Sequence, residues 1–335
     1  MHKWIFVPLL FFGLFFLVPV LFVLLPGGEV ENDAEISGDE SSQTSVKLTK
    51  EEQESELATE MENVSIPVFR NETETVEEME LEEYVAGVVA SEMPAEFEIE
   101  ALKAQALTAR TFIAREMISP SDINLPENAL VTDTQMHQVY QNEEELREKW
   151  GDDYQWKMDR VKEAVLATKG QVLTYEGEPI TAAFFSTSNG YTENAEDYWK
   201  NPVPYLQSVE SPWDQGSPQY ENAKRIAAAE VERLLGISIA ANETGEIISR
   251  TDGGRVAELK LGGETFSGRD IREKLNLHSS DFQISREGEE FLFTTKGWGH
   301  GVGMSQYGAD GMAKEGKDYK DILHHYYKGV DISSL

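Results

Sequence analysis

Glu92 is the residue in this chain best placed for proton transfer. It ends the run Glu83-Tyr84-Val85-Ala86-Gly87-Val88-Val89-Ala90-Ser91-Glu92, immediately before Met93-Pro94. A side chain at a junction between two rigid elements is held in one place. Apolar neighbours such as Val89 and Met93 would desolvate the carboxyl and raise its pKa, as a general acid requires. One carboxylate among 61 acidic residues can equally be a solvated or capping group, so residue type alone leaves both roles open. Other chemistries have less support. His300 with Ser305 has no acidic partner fixed by the sequence. There is no Walker loop, H-E-x-x-H or G-x-S-x-G, and glycine at alternate positions over 297–303 is not dinucleotide-binding spacing. The absence of cysteine excludes disulfides, thiolate zinc, iron–sulfur clusters and a cysteine nucleophile. A net charge of −32 argues against nucleic acid as a partner.

The elements that must position Glu92 follow from hydrophobic periodicity. Short strands are expected around Ile66–Val68 and Val76–Leu81, then a helix over 82–91. Pro94 suits the first turn of a second helix reaching about Glu116. Leu102, Ala106, Ala109 and Ile113 form its apolar stripe, with Lys103 and Arg110 on the border. Further expectations are a helix over 143–168, a hairpin of strands 171–175 and 179–185, and a helix over 221–235. Strands near 247–251, 255–261 and 290–296 and a closing helix near 318–327 complete the reading. Helices and hairpins mix without βαβ alternation, so the fold class is α+β, mixed helices and antiparallel strands forming a cleft.

Ahead of this region, residues 4–25 carry no charge. As a helix they would rise roughly 33 Å, enough to cross a bilayer core. The run is longer than a typical signal-peptide core, and no small-residue cleavage site follows it. The reading is therefore an uncleaved transmembrane anchor over 1–28, with Lys3 keeping the N-terminus cytoplasmic and the rest of the chain on the outer, cell-wall face. Residues 29–62 hold twelve acidic and two basic residues, so 29–63 reads as a disordered, self-repelling acidic spacer before a single domain over 64–335.

Four blocks in consistent order resemble the stage II sporulation protein D (SpoIID) family. They are Glu92-Met93-Pro94 with the Lys103-Ala104-Gln105-Ala106 and Ala109-Arg110-Thr111 helix; Asp133 with Gln138-Val139-Tyr140; Phe185-Ser186-Thr187-Ser188-Asn189-Gly190; and the glycine loop from Gly297 through Tyr307 to Ala309. The resemblance spans about residues 64–335. Asn189 stands where relatives often carry a second glycine. The family implies a lytic transglycosylase that cleaves the bond between N-acetylmuramic acid and N-acetylglucosamine in peptide-stripped peptidoglycan during engulfment, leaving a 1,6-anhydro end. Glu92 would be the catalytic residue and Lys103 and Arg110 substrate contacts. Gln138, Ser188, Tyr205, Trp298, His300 and Gln306 complete the expected contacts. Some relatives hold zinc through cysteines near the Q-x-Y block; this chain has His137 there but no cysteine, so no metal and no cofactor is expected. The implied partners are peptidoglycan glycan strands, a sporulation cell-wall amidase and a membrane protein of the engulfment machinery. A non-catalytic, glycan-binding activator of an amidase is the alternative.

The substrate's charge adds a physical requirement. A stripped glycan exposes lactyl carboxylates, and a protein of this charge repels it within the roughly 8 Å screening length of physiological salt. Local cations must therefore grip it, for which Lys103 and Arg110 are the sequence-level candidates. Their competing role is a surface ion pair with Glu96, Glu98 or Glu100. Trp298 or Tyr307 could stack on a sugar ring, and glycine at 297–303 would let backbone approach sugar closely. Structural turns with a buried His300 are the alternative for that loop.

Overall fold

The computed structural model describes residues 64–335, apart from positions 122 and 127. The anchor read over 1–28 and the spacer over 29–63 lie outside the described residues. Among those described, no helix is long and apolar enough to cross a membrane.

Helices and mostly antiparallel strands alternate irregularly around two separate hydrophobic cores. In the first, β1 (Ser65–Arg70) and β2 (Thr75–Glu80) form an antiparallel hairpin that leads directly into α1 (Leu81–Glu92). Helix α1 buries an almost unbroken row from Tyr84 to Ala90. Such a helix needs partners on several sides, and α2 (Ile99–Ile118) supplies the largest, its stripe of Leu102, Ala106, Ala109 and Ile113 fully buried. The short β3 (Val131–Thr132) joins β1 in parallel. Helices α3 (Glu143–Trp150) and α4 (Tyr154–Ala167) pack beyond α1. Strand β4 (Gln171–Tyr175) lies between β5 (Glu178–Pro179) and the C-terminal β14 (Asp331–Ser334).

The second core spans Ile226 to Phe293 and belongs to one stretch of chain. Strands β7 (Glu221–Ala227), β11 (Phe282–Glu287) and β12 (Glu290–Lys296) form one sheet in the order β11-β12-β7, and β8 (Glu246–Arg250), β9 (Val256–Leu261) and β10 (Glu264–Ser267) form another. Between them pack α6 (Ala228–Leu235) and α7 (Gly268–Lys274), through Val231, Leu235 and Ile271. Residues 221–296 are thus a lobe inserted into the first domain. The chain re-enters that domain through β13 (Met304–Ser305), paired in parallel with β6 (Phe184–Phe185), then α8 (Gln306–Lys314) and α9 (Tyr319–Tyr326). Helix α5 (Ala195–Trp199) is a single short turn on the way to the lobe.

Several boundaries differ from expectation. Pro94 does not open α2: residues 94–98 form a turn, with Phe97 N–H bonded to Pro94 C=O (3.1 Å) and Glu98 N–H to the Asp310 carboxylate (2.9 Å), so the helix starts at Ile99. The helix expected over 143–168 is broken by a 3₁₀ turn at Gly151–Asp153, where Gly151 takes φ +53°, a conformation that suits glycine. The helix expected over 221–235 is half strand. Residues 221–227 pair with β12, and a long-range ladder overrides local helix propensity. The glycine loop does not stay a loop: Ser305 caps α8, its Oγ accepting the Gly308 N–H (3.3 Å).

Candidate functional site

Glu92 is the last residue of α1 and is only partly exposed. Its Oε1 accepts a single backbone hydrogen bond, from Val139 N–H at 2.9 Å. Burial is the main influence on its proton affinity and raises its pKa, against the opposing pulls of that N–H and of the Lys149 ammonium. The negative end of the α1 dipole adds to the same upward push. The carboxyl is therefore biased toward its protonated form, which is what a proton donor needs.

The Val139 donor reaches Glu92 because segment 138–141 closes down on α1. Gly87 makes that possible: a Cβ there would run into the Tyr140 ring and lie 2.9 Å from the Gln141 carbonyl. Tyr140 stacks on Tyr84 (ring centroids 5.6 Å apart, planes at 13°), and the Arg70 guanidinium sits 5.0 Å from its ring centre. Arg70 in turn holds Asp133 at 3.0 Å and Glu145 at 2.6 Å, which pins β1, the Asp133 turn and α3 together. Gln138 is buried beside this joint; its Oε1 accepts from the Tyr84 hydroxyl (3.3 Å), and its Nε2 has no protein partner. His137 is turned into the protein, its ring nitrogens engaged by Thr132 and Ser121.

The cations expected to grip substrate are arranged otherwise. Arg110 is completely buried: it forks onto the Glu82 carboxylate at 2.9 and 2.6 Å and donates to the carbonyls of Val165 and Gln171. In this structure the guanidinium is engaged inside the protein and ties α1 to α4 and β4. Lys103 keeps some exposure, but its Nζ is 2.7 Å from Glu100, whose other oxygen accepts Tyr319 N–H, so the pair ties α2 to α9. The ammonium that acts on Glu92 is that of Lys149, at the end of α3, and Lys157, in α4, lies close to Lys149 and pairs with Glu96 at 3.0 Å. Nothing in the sequence marked them; they come from a segment more than fifty residues downstream.

These geometries sit within a recognisable sequence lineage. A model of the family described as "Stage II sporulation protein" (SpoIID) matches residues 69–175. Stage II sporulation protein D of Bacillus subtilis (strain 168) is 50% identical over 322 residues, covering 96% of this chain and 93% of that protein. The protein of the same description from Bacillus amyloliquefaciens is 54% identical over 81% of this chain and 79% of its own length. The chain belongs to the stage II sporulation protein D family. A more distant relative, named "Amidase enhancer" in Bacillus subtilis (strain 168), is 29% identical over 74% of this chain but only 40% of its own length.

In this SpoIID chain the serine-rich and glycine-rich blocks pack together into a joint. Ser188 is fully buried, and its Oγ donates to Asp214 at 2.8 Å. Ser211 and Ser305 donate to the same carboxylate. Tyr205 is a core residue: its ring packs on Tyr175 (5.4 Å) and its hydroxyl accepts Thr181 N–H (2.9 Å). The alternate glycines Gly297, Gly299, Gly301 and Gly303 all have positive φ, and each would clash with protein if given a Cβ. The close approach they permit is to Thr187, Phe185, Arg255 and Ala183, not to an open groove.

His300 sits inside that joint. Its Nε2 is 2.9 Å from the Phe184 carbonyl and its Nδ1 accepts Val302 N–H (3.1 Å), so the neutral ring is fully used; burial lowers its pKa to about 4. Gln306 is buried with its Nε2 unpartnered. Trp298 remains 38% exposed, with one face stacked on His278 at 4.2 Å. A cavity of about 670 Å³ lined by Tyr191, Asn194, Pro204, Gln207 and Glu210 contains none of the expected site residues.

Proposed function

We propose that this chain is a membrane-anchored lytic transglycosylase acting on peptide-stripped peptidoglycan during sporulation, with its catalytic domain on the cell-wall face. The observation that carries the reading is Glu92. It is a partly buried carboxyl at a helix terminus, held by one N–H, with its proton affinity raised by burial, and the motif resemblance matches it to the family's glutamate. The protonated carboxyl donates to the glycosidic oxygen as the bond from C1 of N-acetylmuramic acid breaks. The resulting carboxylate then removes the proton from that sugar's C6 hydroxyl as O6 bonds to C1. The products are an anhydro-ended strand and a free 4-hydroxyl, and Glu92 ends as it began. An internal nucleophile removes the need for the second carboxylate of ordinary glycosidases, and its proximity lowers the entropic barrier.

Peptide-stripped glycan incubated with the full chain should yield 1,6-anhydro ends by mass spectrometry. Glu92→Gln should lower the rate by about 10²-fold or more while the fold survives. Full activity in that variant would overturn the assignment. A second reading draws on the relative named "Amidase enhancer": a glycan-binding protein that stimulates an amidase without cutting. Unchanged reducing ends together with faster amidase turnover would favour it. In either reading the expected partners are glycan strands, a peptide-removing amidase and a membrane protein of the engulfment machinery.

A further inference from the structure

The elbow between α3 and α4 gathers an unassigned group of side chains. Gly151 turns the chain sharply there, so Lys149 and Trp150 at the end of one helix meet Trp156 and Lys157 in the first turns of the next. The Lys157 Nζ lies 5.7 Å from the Trp150 ring centre and 5.4 Å from that of Trp156. Trp156 is 41% exposed, its indole N–H anchored on Asp153 (2.9 Å). Lys157 also reaches Glu96 at 3.0 Å on the turn that follows Glu92. The Lys149 Nζ donates to Gln141 Oε1 at 2.7 Å, on the segment that supplies Val139 N–H to Glu92. The two ammoniums act on each other as well as on their surroundings, and like charges held close are relieved by an anion between them.

The exposed Trp156 and the partly buried Trp150, beside two neighbouring ammoniums, suit a ligand with apolar ring faces and a carboxylate. We propose that Lys149 and Lys157, flanked by Trp150 and Trp156, form a subsite beside Glu92 that binds the lactyl carboxylate of a muramyl sugar freed of its peptide. The subsite explains how so acidic a protein could select a polyanionic strand: the amide-linked peptide of an unstripped strand would cancel the charge the lysines read. It rests on the proposed substrate, but not on the chemistry at Glu92.

The test is a binding measurement that needs no turnover. The full chain carrying Glu92→Gln is titrated calorimetrically with a peptide-free N-acetylglucosaminyl-N-acetylmuramyl tetrasaccharide and with chitotetraose, which has no carboxylate. The muramyl ligand should bind about tenfold tighter, the worth of one charge-assisted contact, and its advantage should shrink as salt rises. Adding Lys149→Met should remove most of that advantage and leave chitotetraose affinity within about twofold; Lys149→Arg should restore it. Equal affinity of the starting protein for both sugars overturns the subsite, as does a Lys149→Met protein that keeps its preference. Should the preference depend on Lys149 while the wild-type chain releases no anhydro ends, the subsite stands and the transglycosylase reading fails; should anhydro ends form without any preference, the reverse holds.

Discussion

Arg110 and Glu92 show two fates for an ionisable side chain on neighbouring helices. Arg110 is surrounded by acceptors, with two bonds to Glu82 and two to backbone carbonyls, so burial leaves its charge compensated. Glu92 has one N–H donor and a helix terminus of the wrong polarity, so its charged form is undersupplied and its pKa rises. The consequence is a pH profile. If the protonated acid starts the reaction, kcat/KM falls as pH rises through a Glu92 pKa above the ordinary glutamate range. The Lys149 ammonium stabilises the carboxylate and holds that pKa down. Lys149→Met should therefore move the alkaline limb to higher pH, whatever it does to the plateau. A pH–rate series that shows the limb fixed or shifted downward would remove Glu92 as the titrating acid.

At the scale of elements, α1 depends on a missing side chain. Gly87 is costly in a helix interior, yet it lets segment 138–141 seat against α1 and carry Val139 N–H to Glu92. Gly87→Ala should displace the Tyr140 ring and the Gln141 carbonyl. We expect a loss of about 1–3 kcal/mol in stability, read from denaturant midpoints, and a larger proportional loss of anhydro-product formation at temperatures where the variant is folded. Unchanged midpoint and rate would mean that the segment can shift freely. The break between α3 and α4 is a second element-level device. A continuous helix over 143–168 would string Lys149 and Lys157 along one rod, whereas the turn at Gly151–Asp153 gathers them with the two indoles.

For the whole molecule, the decisive feature is how the 221–296 lobe is fastened to the first domain. Arg255 from the lobe and Glu193 from the domain form an ion pair at 3.4 Å, both side chains 3% exposed, with Thr251 also donating to Glu193. Gly301 passes against the Arg255 guanidinium without room for a Cβ, and Asn189 bridges to Gly253 and Asp281. Removing one partner of a buried pair strands the other, at a cost of about 3–5 kcal/mol. Glu193→Ala should accordingly lower the melting temperature, and calorimetry should show the lobe and domain transitions separating. A single transition at the original temperature would mean that the pair does not couple them.

What the sequence determined by itself was local and compositional. The apolar stripe of α2, strands 171–175 and 290–296, the closing helix and the SpoIID family membership were all legible, because periodicity and motif spacing are properties of neighbouring residues. Glu92 could be singled out from its junction and its resemblance. For the proposed anionic glycan substrate, the net charge of the chain calls for a local cation, but composition could not say which one. Lys103 and Arg110 lie near Glu92 in sequence, yet the fold turns them into ties to Glu100 and Glu82. The alternate glycines, equally visible, admit Arg255 and Phe185. Half of the 221–235 segment became a strand because its ladder partner lies more than sixty residues away. Lys149 came beside Glu92, and Lys157 beside Glu96, only when α3 and α4 packed onto α1. Which charges pair inside the protein, and with which partner, depends on long-range packing, and only the tertiary structure decides it.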